Sequence, residues 1–136
     1  IVVRVVSQED YTKWVGEHKA LLAKAAEDES RTHALAELVA RGEKVYAEHC
    51  VACHQANGRG LPPAFPPLDG APTVLGPKGA QINVLLNGRP KTAMLPFGRL
   101  SNVELAAVIT FTRNNWGNKT GEVVQPADIK ARRNPI

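Results

Sequence analysis

The feature that most constrains this chain is the segment Cys50-Val51-Ala52-Cys53-His54, which holds both of its cysteines. Two thiols at this spacing, followed at once by a histidine, form the C-x-x-C-H pattern of covalent c-type haem attachment. The spacing has a mechanical reason, because both thiols must reach the vinyl groups of one porphyrin while the adjacent imidazole reaches the iron. The motif therefore predicts one covalent haem c per chain, bound by Cys50, Cys53 and His54.

Other interpretations of the cysteine pair are weaker. A zinc site needs four ligands, and the chain has two cysteines. A thioredoxin-like redox pair belongs to a β-α-β arrangement, whereas a helical pattern precedes this motif. A disulfide closing so small a ring would be strained. A haem-free zinc or redox module stays as an alternative, and a haem mass that persists after denaturation would eliminate it.

Met94 is the single methionine of the chain and the predicted second axial ligand. The surrounding segment has no helical or strand period, so a role as core filler is a weak explanation. A thioether ligand favours reduced iron and raises the potential. We therefore predict that His54 and Met94 both ligate the metal. The competing ligands are His18, His33 and His49. The first two are expected on solvated faces, and the third is poorly placed to reach the opposite haem face.

Apolar periodicity divides the chain into residues 1–33, 34–118 and 119–136. The first part contains a β-branched strand over residues 1–6, then a helix beginning after Ser7 that ends in a polar linker at 27–32. The last part is expected to be a polar tail.

The middle part is predicted to be helical with long loops. Helices are predicted over residues 34–48, 79–86 and 102–115, the last opened by a capping box of Ser101 and Glu104. Residues 57–77 hold six of the ten prolines and four glycines, which favours a loop. Long loops in small domains usually enclose something, and the thin aliphatic core also suggests an apolar cofactor.

The charge distribution argues for a protein partner. A net charge of +4 is too mild to indicate nucleic acid. No acidic residue occurs between Gly70 and Val103, where the basic residues are Lys78, Arg89, Lys91 and Arg99. Such a surface suits an acidic partner. No apolar run approaches the roughly 20 residues that span a bilayer, so we expect no membrane contact by this chain itself.

Residues 34–118 resemble a class I cytochrome c domain, which implies an all-α class I cytochrome c fold around one haem. The matching segments are Gly42–Tyr46, Cys50–His54, Gly60–Leu68, Met94–Phe97 and Leu105–Asn118.

The resemblance also implies roles for single residues. Gly42 and Tyr46 would cross Val108 and Phe111. The carbonyl of Pro63, with Pro62 as the competing assignment, would accept a hydrogen bond from Nδ1 of His54. Trp116 would serve packing, and Arg59 and Arg99 are candidate haem propionate partners.

Residues 1–14 carry a second resemblance, to the end of the CuA domain of cytochrome c oxidase subunit II. A CuA end followed by a C-x-x-C-H domain is similar to subunit II of the caa3-type oxidases. This implies a fragment of a membrane-bound parent, at the periplasmic or other extracytoplasmic face, with residues 1–33 as a residual CuA-type end and linker helix. The chain would itself be an electron-transfer module rather than a complete enzyme.

The implied function is one-electron transfer from a donor protein to CuA. The alternatives are a haem enzyme or gas sensor in which Met94 is labile, and a stand-alone or dehydrogenase-linked carrier. Residues 1–6, an edge strand without its sheet, are expected to be disordered, folded back or paired with another copy.

Overall fold

A computed structural model describes residues 3–133, which fall into two compact units divided between Arg31 and Thr32. In the first unit, helix α1 (Gln8–Ser30) begins at the predicted cap, where Ser7 Oγ accepts from the Asp10 N–H at 3.1 Å. The predicted strand is not formed over residues 3–6, since a strand needs a partner to satisfy its backbone groups. Residues 1 and 2 lie outside the described part of the chain.

Helix α1 extends through most of the predicted linker. Backbone bonding continues to Arg31, whose N–H donates to the Glu27 carbonyl at 3.0 Å, and an Asp28–Arg31 ion pair spans 3.3 Å. Glutamate and arginine are good helix formers, so this polar run continues the helix that it was expected to end. No residue of α1 is buried.

The second unit is built from helices, as the predicted fold class requires. They are α2 (Leu35–His49), α3 (Val51–His54), α4 (Pro72–Leu75), α5 (Lys78–Asn87), α6 (Asn102–Arg113) and α7 (Pro126–Arg133). The predicted capping box at Ser101 and Glu104 is confirmed, with both reciprocal bonds present. Among residues 3–133, no helix combines the length and apolar character needed to cross a membrane.

The crossing of α2 over α6 is the centre of this unit. A Cβ on Gly42 would overlap the Ala107 carbonyl and would lie 2.6 Å from Cβ of Phe111, so only glycine permits this approach. The Tyr46 and Phe111 rings pack with centroids 5.4 Å apart. The predicted crossing is thus confirmed for Phe111, whereas Ala107 rather than Val108 lies nearest to Gly42. Since α3 follows α2 directly, this crossing positions the haem-attachment motif.

Residues 119–133 pack on α6, which differs from the expected polar tail. Val124 and Ile129 are fully buried, and Thr110 Oγ1 accepts from the Val124 N–H at 3.0 Å. The guanidinium of Arg133 donates to the Gly98 and Leu100 carbonyls. A few apolar side chains in a polar segment are enough to attach it, because α6 offers an apolar face there. Residues 134–136 lie outside the described part.

Candidate haem-attachment site

The two cysteines and His54 share one helical turn. Cys50 ends α2 and its carbonyl accepts from the Cys53 and His54 N–H groups at 3.2 and 2.9 Å. Both cysteines are free and half-buried. The backbone of α3 therefore holds two thiols and an imidazole as one rigid set, which is the arrangement that covalent haem attachment requires.

His54 is oriented by a backbone carbonyl, but not by the predicted one. Its Nδ1 lies 3.0 Å from the Pro66 carbonyl oxygen, where Pro63 was expected, with Pro62 as the competitor. Pro66 takes this role because Leu61 and Phe65 pair across a tight turn. Pro62 and Pro63 lie at the exposed tip of this turn, while the following residues return towards α3.

The hydrogen bond to Pro66 decides the tautomer of His54. A carbonyl only accepts, so the proton must reside on Nδ1, and the lone pair of Nε2 is left available for a metal. Hydrogen bonding of the distal ring nitrogen is also the usual way in which a metal-binding histidine is oriented and made a stronger donor. His54 thus has the state that an axial ligand needs.

The loop that carries Pro66 is closely packed against the histidine turn. The Gly60 N–H donates to the His54 carbonyl at 3.0 Å. Gly60 has φ +61°, and a Cβ there would lie 2.7 Å from the Pro66 carbonyl oxygen. A side chain at this position would displace the group that binds Nδ1 of His54.

Met94 is half-buried in the loop between α5 and α6. Its carbonyl accepts from the Arg89 N–H at 3.0 Å, and its N–H donates to Thr92 Oγ1 at 3.2 Å. Gly88, at φ +68°, has the Met94 carbonyl where a Cβ would stand, 2.6 Å away. These contacts fix the Met94 backbone in a closed turn. Ligation of the metal by its sulfur stays a prediction.

The competing histidines are held by other contacts. His33 is buried, contrary to the solvated face expected for it, with Nδ1 3.1 Å from Glu37 and its backbone N–H bonded to Gln125. His33 is buried because Gln125, which bonds to its backbone, belongs to the segment that packs on α6. His18 stacks on Trp14 within α1, and His49 packs edge-on to Phe97.

The donor chemistry and surroundings fit a haem. Burial, with a smaller effect of Cys53, raises the pKa of the Cys50 thiol to about 11, so this sulfur is an uncharged thiol near neutral pH. Several apolar side chains that pack against the same core cluster as Cys50 are only partly buried, namely Val51, Leu68, Leu85, Leu86 and Phe97. Leu61 and Leu95, on the loops that carry Pro66 and Met94, are 54% and 66% exposed. Such uncovered apolar surface suits an apolar cofactor.

The structure gives one contact for each predicted propionate partner. The Arg99 guanidinium lies 5.1 Å from the centroid of the Phe97 ring. The backbone N–H of Arg59 donates to Asn57 Oδ1 at 3.0 Å within its own loop. Their contact with haem propionates stays a prediction.

Sequence reasoning missed two buried polar residues that hold the loops around the site. Arg113 donates to the Val74 and Gly76 carbonyls at 2.6 and 2.9 Å and pairs with Glu122. Asn118 is 1% exposed and joins the end of α6 to the Pro66 loop. Arg113 could have been found from its spacing, because it follows Leu105 and Ile109 at intervals of four on the buried face of α6.

Comparison with known proteins identifies the family of the chain. Residues 37–111 match the family model described as "Cytochrome C oxidase, cbb3-type, subunit III". The chain belongs to this family and is a cytochrome c-type domain. Membership implies covalently bound haem c, with Cys50 and Cys53 supplying the thiols of the motif.

The relatives fall into two groups, a cytochrome c-552 and cytochrome c subunits of dehydrogenases. Cytochrome c-552 of Thermus thermophilus is 38% identical over 93 residues, covering 58% of this chain and 70% of that protein. The cytochrome c subunit of a quinone alcohol dehydrogenase from Gluconobacter oxydans (strain 621H) is 33% identical over 103 residues, 68% of this chain and 22% of that subunit. The gluconate 2-dehydrogenase cytochrome c subunit of Pantoea cypripedii is 30% identical over 104 residues, 68% and 24% respectively. The chain thus spans about a fifth to a quarter of these dehydrogenase subunits. It is a cytochrome c electron-transfer domain.

Proposed function

We propose that this domain passes single electrons to the CuA centre of a haem-copper oxidase, as the cytochrome part of a caa3-type subunit II. In this proposal Cys50 and Cys53 would hold the haem, and His54 and Met94 would ligate its iron. The observation that carries the ligation is the Nδ1–Pro66 hydrogen bond at 3.0 Å, which leaves the lone pair of His54 Nε2 available for a metal, on the same helical turn as both cysteines.

The bound haem supplies the Fe(III)/Fe(II) couple, and the chain's residues tune and protect it. The Pro66 carbonyl would make His54 a stronger donor and so stabilise the oxidised state, while a thioether from Met94 would favour the reduced state. If His54 and Met94 both ligate the iron, no position would be left for a substrate. Such ligation would favour electron transfer over peroxidase chemistry or gas sensing.

Ligation by Met94 is tested with a Met94→Ala variant of the haem-loaded protein. We expect the oxidised wild type to show a methionine-to-iron charge-transfer band and the reduced wild type to bind no CO. The variant should lose the band and bind CO, because an axial position opens. A matched His49→Ala variant should keep the wild-type behaviour. Binding of CO by the reduced wild type would refute the proposal and favour the sensor or enzyme alternative.

The proposed docking surface for CuA is the cationic loop surface, defined as Arg89, Lys91 and Arg99. All three side chains are exposed, and they flank the turn that carries Met94. Lys78, in the same acid-free segment, instead lies 3.0 Å from Asp128, which offsets its charge. A positive surface beside the ligand loop would steer an acidic partner and release it readily at physiological salt.

The docking proposal is tested by charge reversal. We expect a Lys91→Glu/Arg99→Glu variant to reduce an isolated oxidised CuA domain at least about tenfold more slowly at low salt, with the difference shrinking as salt screens it. A Lys130→Glu/Arg132→Glu variant changes the charge equally on α7 and should react like the wild type. Equal slowing by both pairs would mean that net charge, not this surface, governs the encounter.

A dehydrogenase-linked carrier is the second candidate, because two of the relatives are named as cytochrome c subunits of dehydrogenases. The two functions differ in the protein that exchanges electrons fastest with the domain. Rapid oxidation of the reduced domain by a CuA fragment supports the first. Faster reduction by a quinone-dependent dehydrogenase, with slow transfer to CuA, supports the second.

The location proposed for the domain is the periplasmic or other extracytoplasmic side of the membrane that carries its parent. The resemblance of residues 1–14 to the end of a CuA domain and the covalent attachment of the haem support this location. A fusion of the domain's parent to a periplasmic reporter tests it, and activity of a cytoplasmic reporter instead would contradict it.

A further inference from the structure

The buried side chain of Asn118 links the end of α6 to the loop that orients His54. Its Oδ1 accepts from the Gly70 N–H at 2.8 Å. Its Nδ2 donates to the Leu68 carbonyl at 3.0 Å and to the Thr112 carbonyl at 2.9 Å. An asparagine amide offers two donor hydrogens and an acceptor oxygen, and all are used here. The amide orientation is therefore fixed, and aspartate or alanine could not reproduce the three bonds.

The part of the loop that Asn118 holds is directly connected to Pro66. Leu68 lies two residues after Pro66, and its N–H donates to the Gly58 carbonyl at 2.7 Å, which closes the loop at its base. The Pro66 carbonyl is bonded to Nδ1 of His54 at 3.0 Å. Displacement of Leu68 would therefore move the carbonyl that sets the histidine's orientation.

Trp116 makes a second, independent contact between the same elements. Its indole Nε1 donates to the Ala56 carbonyl at 2.9 Å, and its ring covers Gly58, where a Cβ would lie 2.6 Å from the ring. Trp116 has φ +53°, an unusual conformation for a bulky residue. Strain of this kind persists where surrounding contacts compensate for it. The segment after α6 thus holds the loop through Trp116 as well as through Asn118.

We infer that Asn118 is a positioning residue for the axial histidine. It fixes the 58–70 loop on α6, and the loop in turn presents the Pro66 carbonyl to Nδ1 of His54. This inference rests on the proposed ligation by His54. Its physical basis is that the donor strength of a metal-bound imidazole depends on the hydrogen bond at its other nitrogen, which must be held in place.

The experiment compares Asn118→Ala with Thr110→Ala in the reduced, haem-loaded protein. Thr110 is a matched control because it is also buried and also bonds backbone groups, but it lies on α6 and its partner is Val124, in the segment that leads to α7. Solvent exchange of the His54 Nδ1 proton is followed by NMR with ¹⁵N-labelled histidine. We expect this exchange to be at least about tenfold faster in Asn118→Ala than in the wild type and unchanged in Thr110→Ala. The two variants are compared where they lose similar amounts of unfolding free energy.

The reduction potential gives a second readout. A weaker bond at Nδ1 makes the imidazole a poorer donor to Fe(III), so the potential of Asn118→Ala should rise. A tenfold change in the preference for the reduced state corresponds to about 59 mV. The Thr110→Ala potential should match the wild type. Equal exchange rates and potentials in the two variants would overturn the inference and leave Asn118 a purely structural residue.

Two provisions keep the test decisive. If Asn118→Ala does not fold, Trp116→Phe removes the indole N–H donor together with part of the ring that covers Gly58, and we expect a smaller change in the same direction. No change there would count against the inference. Failure of the proposed ligation is recognised separately, because it would appear in the wild-type spectrum. The Nδ1 exchange rate reports the bond to Pro66 whatever Nε2 binds.

Discussion

Replacement of Gly42 by alanine tests whether the α2–α6 crossing controls the stability of the domain. Two effects oppose each other. Alanine is favoured over glycine in a helix interior by about 1 kcal/mol. Against this, the new Cβ would overlap the Ala107 carbonyl and lie 2.6 Å from the Phe111 Cβ. An ordinary contact would require the helices to separate by roughly 1 Å, since carbon atoms pack at about 3.5 Å.

The steric effect should dominate. Overpacking a well-packed core costs about 1 to 3 kcal/mol. The upper part of that range applies here, because backbone atoms and a helix axis must move rather than a flexible side chain. After subtraction of the helix-propensity gain, the expected loss of unfolding free energy is about 2 kcal/mol.

The measurement is equilibrium denaturation of the oxidised, haem-loaded protein, followed by haem absorbance and far-ultraviolet circular dichroism. Gly79→Ala on α5 is the control, because its new Cβ would meet mainly the flexible guanidinium end of Arg132. This variant should lie within about 1 kcal/mol of the wild type, on the more stable side if the helix-propensity gain prevails. The reasoning is refuted if Gly42→Ala is as stable as Gly79→Ala.

Three further variants test other contacts of the same unit. Tyr46→Phe loses the hydroxyl bond to the Gln55 carbonyl (2.7 Å) and about 1 kcal/mol. Burial raises the pKa of Tyr46, so the folded state keeps a proton that the unfolded chain loses. The unfolding free energy of the wild type should therefore fall as pH rises above about 10, and that of Tyr46→Phe should fall less steeply. Urea titrations at several pH values measure this, and parallel pH profiles for the two proteins would contradict it. Arg113→Met leaves the Val74 and Gly76 carbonyls without this hydrogen-bond donor and removes the partner of Glu122. The variant should lose about 2 to 3 kcal/mol of unfolding free energy, measured by thermal unfolding. An unchanged unfolding midpoint would show that the Arg113 contacts do not matter for stability. Ser101→Ala removes the α6 cap and should cost about 1 kcal/mol in the same assay; no loss would argue against the cap.

Local signals predicted α2, α5 and α6 well and the chain ends poorly, and they did not predict the short helices α3 and α4. The capping box of Ser101 and Glu104 was readable because helix caps depend on residues adjacent in sequence. Residues 3–6 of the strand predicted over 1–6 form no strand, and the segment expected to be a polar tail packs on α6. A strand exists through its partner, and the burial of Val124 depends on a helix face that sequence order does not reveal.

The candidate site was likewise predicted only in part from the sequence. The sequence alone determined the chemistry, because the identity and spacing of Cys50, Cys53 and His54 require no knowledge of distant residues. The tertiary structure decided which carbonyl orients the histidine, and it selected Pro66 instead of Pro63. The physical reason is that a hydrogen-bond partner is chosen by where a loop returns in space, and contacts such as those of Asn118 set that return across nearly fifty positions of chain.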